Sequence, residues 1–168
     1  TSIHHLSFNE LDIADYKTFF KLKPPLRSEN DRLKTIEAVR DGTIDIISSM
    51  HTPQDEESKR LPFEDAASGA IGLETILPAM LRLYHSNHLK MDEIFNAISL
   101  KPAKRLGLAC GSLKHKKIAD LIIFDADKPF ILNRELLHSK VKNTPFDGHK
   151  LQGQVLRTFV KGKEVFSI

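Results

Sequence analysis

Up to about Gly111 the sequence alternates extended-type and helix-type stretches, and beyond it only strand-type stretches follow. That change of character limits the fold more than any other feature. Strands alternating with helices argue for parallel α/β units, and a strand-only tail argues for a small all-β appendage. Residues 1–8 are short, β-branched and partly alternating, so they read as a strand. Residues 18–23 form a second extended candidate, stopped by Pro24-Pro25, since neither proline can continue a ladder. Ser28 lies three residues before Asp31, the spacing of a helix cap, and predicts a helix to about Arg40 with Leu33, Ile36 and Val39 as its apolar stripe. Asp41-Gly42 ends that helix. Residues 43–49 are the third strand.

A polar loop over 51–68 follows, with a helical turn around 56–60. Gly69 and Gly72 lead into a helix over 73–84. Another helix begins at 92–98 and is interrupted by Lys101-Pro102-Ala103. Residues 119–125 and 155–166 have strand composition, the latter folded into a hairpin at Lys161-Gly162-Lys163. Only about three barrel-type strands are present, whereas a complete (β/α)8 barrel needs about 250 residues. No internal repeat or low-complexity tract is visible.

At 168 residues, with 40% apolar and 28% charged residues, the chain can bury an ordinary core and is not disordered. The net charge of +3 is small and scattered. Its one basic run, Lys114-His115-Lys116-Lys117, is too short to suggest nucleic acid and has no interleaved aromatics to stack bases; it reads as a solvated turn. The apolar runs are far short of a bilayer span. Cys110 is the single cysteine, which rules out an internal disulfide, fits a reducing cytoplasm and lacks the context of a nucleophile. The sequence opens without Met inside a strand-like stretch, an expectation that it is part of something longer.

Several motifs, in order, carry a resemblance. Thr1-Ser2-Ile3-His4-His5-Leu6, Lys21-Leu22-Lys23-Pro24-Pro25-Leu26-Arg27, the stretch from Asp41 to Gln54, Gly69-Ala70-Ile71-Gly72-Leu73-Glu74-Thr75, and Gly111-Ser112-Leu113 with Ala119-Asp120-Leu121 and Thr158-Phe159-Val160-Lys161-Gly162 resemble dihydroorotases, the zinc amidohydrolases of pyrimidine synthesis. Lys59-Arg60-Leu61-Pro62-Phe63 and Lys142-Asn143-Thr144-Pro145-Phe146 are similar to a bacterial branch. The resemblance implies an α/β fold: the C-terminal part of a metal-dependent-hydrolase (β/α)8 barrel over residues 1–108, and over 109–168 a small β-domain completed by a region not seen here.

The resemblance also implies roles. In dihydroorotases the strand reading Gly-Thr-Ile-Asp ends in Asp-His-Ala-Pro-His, whose Asp is both zinc ligand and general base. That Asp falls on Met50, a thioether that zinc seldom takes and that cannot accept a proton. The final His falls on Gln54. The substrate-binding Asn before Pro-Pro-Leu-Arg falls on Lys23, which lacks an amide's paired donor and acceptor. The substrate-contacting Phe-Gly pair falls on Ser68 and Gly69. The family's remaining ligands (a His-x-His pair, a bridging carboxylate or carboxylated lysine, and two later histidines) match no segment of this sequence. His51 is the one substitute ligand candidate, but alternation along a strand turns it away from an inward Met50. His4-His5 matches a family strand rather than a ligand position. His85, His88, His115, His138 and His149 read as solvated, Asp45 as facing away from the metal side, Glu74 as opening a helix at its positive end, and Arg27 as paired structurally. At Lys116 the family's turn carries Gly.

Two functions follow. One is a dihydroorotase in which zinc-bound hydroxide interconverts N-carbamoyl-aspartate and dihydroorotate, inactive as this isolated chain and needing a missing barrel half. The other is a non-catalytic homologue serving as a structural partner of aspartate carbamoyltransferase. Allantoinases and hydantoinases are runners-up on substrate. Open strand edges lead us to expect an oligomer or obligate complex, without nucleic acid or membrane.

Overall fold

The computed structural model describes residues 1–168. The helices are α1 (Ile3–Ser7), α2 (Glu29–Arg40), α3 (Glu56–Arg60), α4 (Ile76–His85), α5 (Met91–Phe95) and α6 (Lys101–Arg105), and the strands are β1 (Leu121–Ile131), β2 (Lys150–Val160) and β3 (Lys163–Ser167). The strands form one antiparallel sheet in the order β1-β2-β3. No helix is long and apolar enough to cross a membrane.

The first segment corrects the strand expected over 1–8. Only its opening residues pair, with Ser48 N donating to Thr1 O at 2.9 Å and Ile3 N to Ser48 O at 3.0 Å. Ser2 then caps a helix, its Oγ accepting from His5 N, and α1 buries Ile3, His4 and Leu6. A capping side chain outweighs weak β-propensity here. Residues 18–23 are likewise not a strand: Thr18–Phe20 is a 3-10 turn. Residues 43–49 are extended but build no ladder. Their regular pairing is the parallel bridge Ser2–Ser48, with His51–Ala70 just beyond, because a parallel strand needs neighbours on its flanks and only these short contacts supply them.

The helix from Ser28 forms as expected. Ser28 and Asp31 make a reciprocal capping box, and Ile36 and Val39 are buried while Leu33 stays 41% exposed. Gly42 follows at φ 85°, beyond the C-cap Asp41. The helix expected over 73–84 begins later, at Ile76. The expected break at Pro102 is absent: a π-helical turn over Asn96–Leu100 shifts the register so that Pro102 sits in the first turn of α6, where its missing N–H costs least.

A cluster of 19 buried residues forms the core. It draws on α1, α2, α4 and α5, and also on Leu132, Phe146 and Leu151 from the C-terminal third. β2 runs over α4, and at Gly153 (φ 105°) a Cβ would overlap the Leu81 side chain. The hairpin expected at Lys161-Gly162 is present, with both residues left-handed (φ 51° and 76°), the geometry of a two-residue turn that matches strand twist. Lys116, where the resemblance implied Gly, is also left-handed at φ 64°.

Candidate functional site

The expected site positions come together along one edge of the core, on loops tied by backbone hydrogen bonds. The chain leaves the 43–49 segment and turns at Met50, which is left-handed at φ 44° and 38% exposed. A left-handed turn suits Asp or Asn far better than an unbranched thioether side chain. Thr52 N donates to Ala70 O at 2.8 Å, and Gln54 Nε2 donates to Ser68 O at 3.1 Å. Gly69 N donates to Lys21 O at 2.9 Å, which brings the segment bearing the exposed Lys23 to the same edge. Gln54 is therefore bonded to Ser68, the residue before Gly69, Lys23 is two residues from the third loop's anchor at Lys21, and Met50 and His51 begin the first loop.

Glycine is needed at two of these contacts. A Cβ on Gly69, at φ 135°, would sit 2.6 Å from Thr52 Cγ2, and one on Gly72 would overlap the Ser49 carbonyl oxygen.

The histidines nearby are all engaged. His51 Nδ1 accepts from Gly72 N at 3.2 Å and Leu73 N at 3.4 Å, so its lone pair closes the turn before α4. His4 is 1% exposed and its Nε2–H donates to Ile71 O at 3.3 Å. Burial pulls its pKa down to about 4, aided by the neighbouring His5 and His51, so it is neutral at pH 7. His5 Nε2–H donates to Pro24 O at 2.9 Å while its Nδ1 accepts from Ser2 Oγ at 2.7 Å.

These donors do not fit a zinc ion. Met50, where the resemblance implied a ligating Asp, carries a thioether, the His51 Nδ1 lone pair is held by two amides, and no group of three or more His, Cys, Asp or Glu side chains converges anywhere in the chain. In this structure His51 serves as the hydrogen-bond acceptor that closes the turn before α4.

Other expectations change too. Glu74 lies ahead of α4 rather than in it, and its carboxylate accepts from His138 N, Ser139 N and His138 Nδ1 at 2.9–3.0 Å. Those bonds hold its pKa below the usual carboxylate value against the opposing effect of burial. Arg27 is exposed, and it is Arg32 that pairs with Glu29 at 2.6 Å. Asp45 pairs with Lys101 at 3.2 Å, away from the loops. His85 is not solvated, as its Nε2–H donates to Ala126 O at 3.0 Å, and His149 packs edge-on against Phe8. Cys110 is exposed.

Two residues within the branch-specific segments were given no role by sequence. Lys59 is 3% exposed and donates to Thr18 O at 2.8 Å and Ala67 O at 2.7 Å, bolting α3 to the turn before Lys21. Burial, with Lys21 nearby, brings its ammonium down to about 8. Asn143 is 2% exposed and reaches both site loops. A buried Lys and a buried Asn in motif segments were the available signal, but their partners are far along the chain. A cavity of about 670 Å³ between α4 and the sheet is lined by Arg82, His85 and Lys150 among others and shares no residue with these loops.

Residues 4–165 match the model of the amidohydrolase family. The dihydroorotase of Ehrlichia chaffeensis is 41% identical over 97% of this chain and 36% of its own length, and that of Clostridioides difficile is 40% identical over 99% and 39%. The chain thus spans well under half the length of these relatives. Among solved structures, an L-hydantoinase (dihydropyrimidinase) from Arthrobacter aurescens superposes with a TM-score of 0.94 at 30% identity, over 99% of this chain and 38% of that one. A dihydropyrimidinase from Brevibacillus agri, at 21% identity and TM-score 0.90, shares the fold. With matches running almost end to end, the chain belongs to the amidohydrolase family and is similar to dihydroorotases across nearly all of its length.

Proposed function

We propose that this chain is a dihydroorotase-like protein that does not by itself interconvert N-carbamoyl-aspartate and dihydroorotate. The observation that supports this reading is Met50: the position where the resemblance places the metal-holding, proton-moving Asp carries a thioether. Gln54, Lys23, Ser68 and Gly69 form the substrate-facing edge, with Gly69 offering backbone and Gln54 an amide already anchored on Ser68 O. Identity to dihydroorotases near 40%, against 30% to the hydantoinase, supports the dihydroorotase side of the family. Residues 1–108 act as the C-terminal part of the barrel and 109–168 as a small β-domain whose connecting loop folds back onto the first part. A reducing cytoplasm suits the lone, exposed Cys110.

The loss at Met50 also favours a second reading, in which the chain is a structural partner, of aspartate carbamoyltransferase for example. Exposed apolar residues on the sheet and its free edges support association with another chain, a missing barrel half or a second copy.

The test is metal content and association state. After dialysis against a weak chelator the chain is expected to hold far less than one zinc per molecule, and to sediment as an oligomer or in complex. Near-stoichiometric zinc, in a monodisperse monomer that melts cooperatively, would contradict both parts.

A further inference from the structure

The loop between β1 and β2 returns to the barrel part and delivers Asn143 between the two site loops. Asn143 Nδ2 donates to Thr52 O at 3.2 Å and to Gly69 O at 3.2 Å, and its Oδ1 accepts from Gln54 N at 3.4 Å. Its own carbonyl accepts from Ile71 N at 3.1 Å. A carboxamide has two N–H donors and one carbonyl in a plane, and all of them are used here. No other side chain of this size supplies that set. Aspartate has no donor, and serine has one.

The position of Asn143 is fixed from outside the site. Glu74 holds the backbone of His138 and Ser139, Lys142 Nζ donates to Leu137 O at 2.7 Å, and Phe146 is wholly buried against Phe8. The site loops also meet directly, through Thr52 N to Ala70 O, Gln54 Nε2 to Ser68 O and the His51 Nδ1 that accepts from Gly72 N and Leu73 N, but the Gln54 backbone N–H and the Gly69 carbonyl are reached by Asn143. A carboxamide mounted from outside and bonded to both loops at the Gln54 end sets their separation there and aims the Gln54 backbone.

We propose that Asn143 is a positioning residue: it fixes the spacing of the Gln54 and Gly69 loops and makes the substrate-facing edge depend on docking of the loop after β1. The substrate part of this statement rests on the reading of Gln54 and Gly69 given above. The stapling itself does not.

Residue-resolved amide exchange on the full chain tests it, comparing wild type with Asn143→Ala and Asn143→Asp. In Asn143→Ala, exchange at Gln54, Thr52 and Gly69 should rise roughly tenfold or more, as expected when a buried hydrogen-bonding group is removed, while Met80 in α4 stays within about twofold. Asn143→Asp restores an acceptor for Gln54 but no donors, so Gln54 should regain protection while Gly69 stays fast. A merely structural role would raise exchange uniformly, α4 included, and that result overturns the proposal. Should the alanine variant fail to fold, the wild-type side chain decides: slow, well-dispersed carboxamide protons of Asn143 support the staple, and rapidly exchanging ones overturn it. A parallel titration with dihydroorotate separates the two claims. Binding weakened roughly tenfold in Asn143→Ala, a loss of about 1.4 kcal/mol, supports positioning of substrate. No binding by any version, with the exchange pattern intact, removes the substrate reading and leaves the staple standing.

Discussion

The loops around Gln54 and the sheet at the C-terminal end are held in opposite ways. The loops are cross-linked by buried polar groups: Lys59 and Asn143 are 3% and 2% exposed and use their donors on backbone carbonyls. The sheet is paired strand to strand but covered poorly, with Ile123, Ile131 and Val165 between 47% and 63% exposed. All five residues of β3 are exposed. A three-stranded sheet needs a packed face to be stable on its own. The difference separates loops locked by internal hydrogen bonds from a sheet whose outer residues lie open.

The sharpest way to break the internal half is Gly72→Ala. A Cβ there overlaps the Ser49 carbonyl oxygen, so the backbone must move where His51 closes the turn. We expect a loss above about 4 kcal/mol, read as loss of a cooperative melting transition. The same substitution logic applied to the sheet should be nearly silent: Val165→Thr, on exposed β3, should shift stability by less than about 0.5 kcal/mol in the chain alone. An equal effect at both positions would erase the contrast.

Acid provides the next largest effect. His4 is held neutral, with its folded pKa near 4 against an ordinary 6.5. The folded state therefore resists a proton that the unfolded chain accepts. Stability from this group is fully present above pH 6.5 and falls as pH drops towards 4, by a total on the order of 3 kcal/mol. Urea midpoints measured from pH 7.5 to 4.5 should decline, and His4→Phe, which keeps a ring beside Phe146, should flatten the decline.

A smaller gain is expected at Met50. Its left-handed backbone costs an unbranched apolar residue more than it costs Asp, so Met50→Asp should raise stability by about 0.5–1 kcal/mol. A lower denaturation midpoint would show that the thioether packs better than its 38% exposure suggests.

How much of this was legible in the sequence follows the range of the interactions. The Ser28–Asp31 capping box and the Lys161-Gly162 hairpin are set by residues a few positions apart, and both formed as read. Motif spacing names Gln54, Ser68 and Gly69 together, and the structure bonds Gln54 to the Ser68 carbonyl just before Gly69. Residues 1–8 were misread because one capping serine turned a strand-like composition into α1. Residues 43–49 have strand composition, but a strand exists only with partners, which composition does not contain. Asn143 was seen only as a marker of a bacterial branch, since its partners Gln54 and Thr52 lie 89 and 91 residues away. A capped turn leaves a local signature; a carboxamide reaching across the fold leaves none.

The central claim is that the chain carries the substrate-facing edge of a dihydroorotase without its catalytic residue. Turnover of N-carbamoyl-aspartate by the purified chain, with zinc added, tests it most directly, alongside Met50→Asp alone and in any metal-holding complex that the chain forms. The account predicts no cyclisation above background for the chain or for Met50→Asp alone. In a metal-holding complex, Met50→Asp should raise the rate by roughly 10²–10⁴-fold, the usual contribution of a general acid–base group. Robust turnover by the unmodified chain would contradict the account outright.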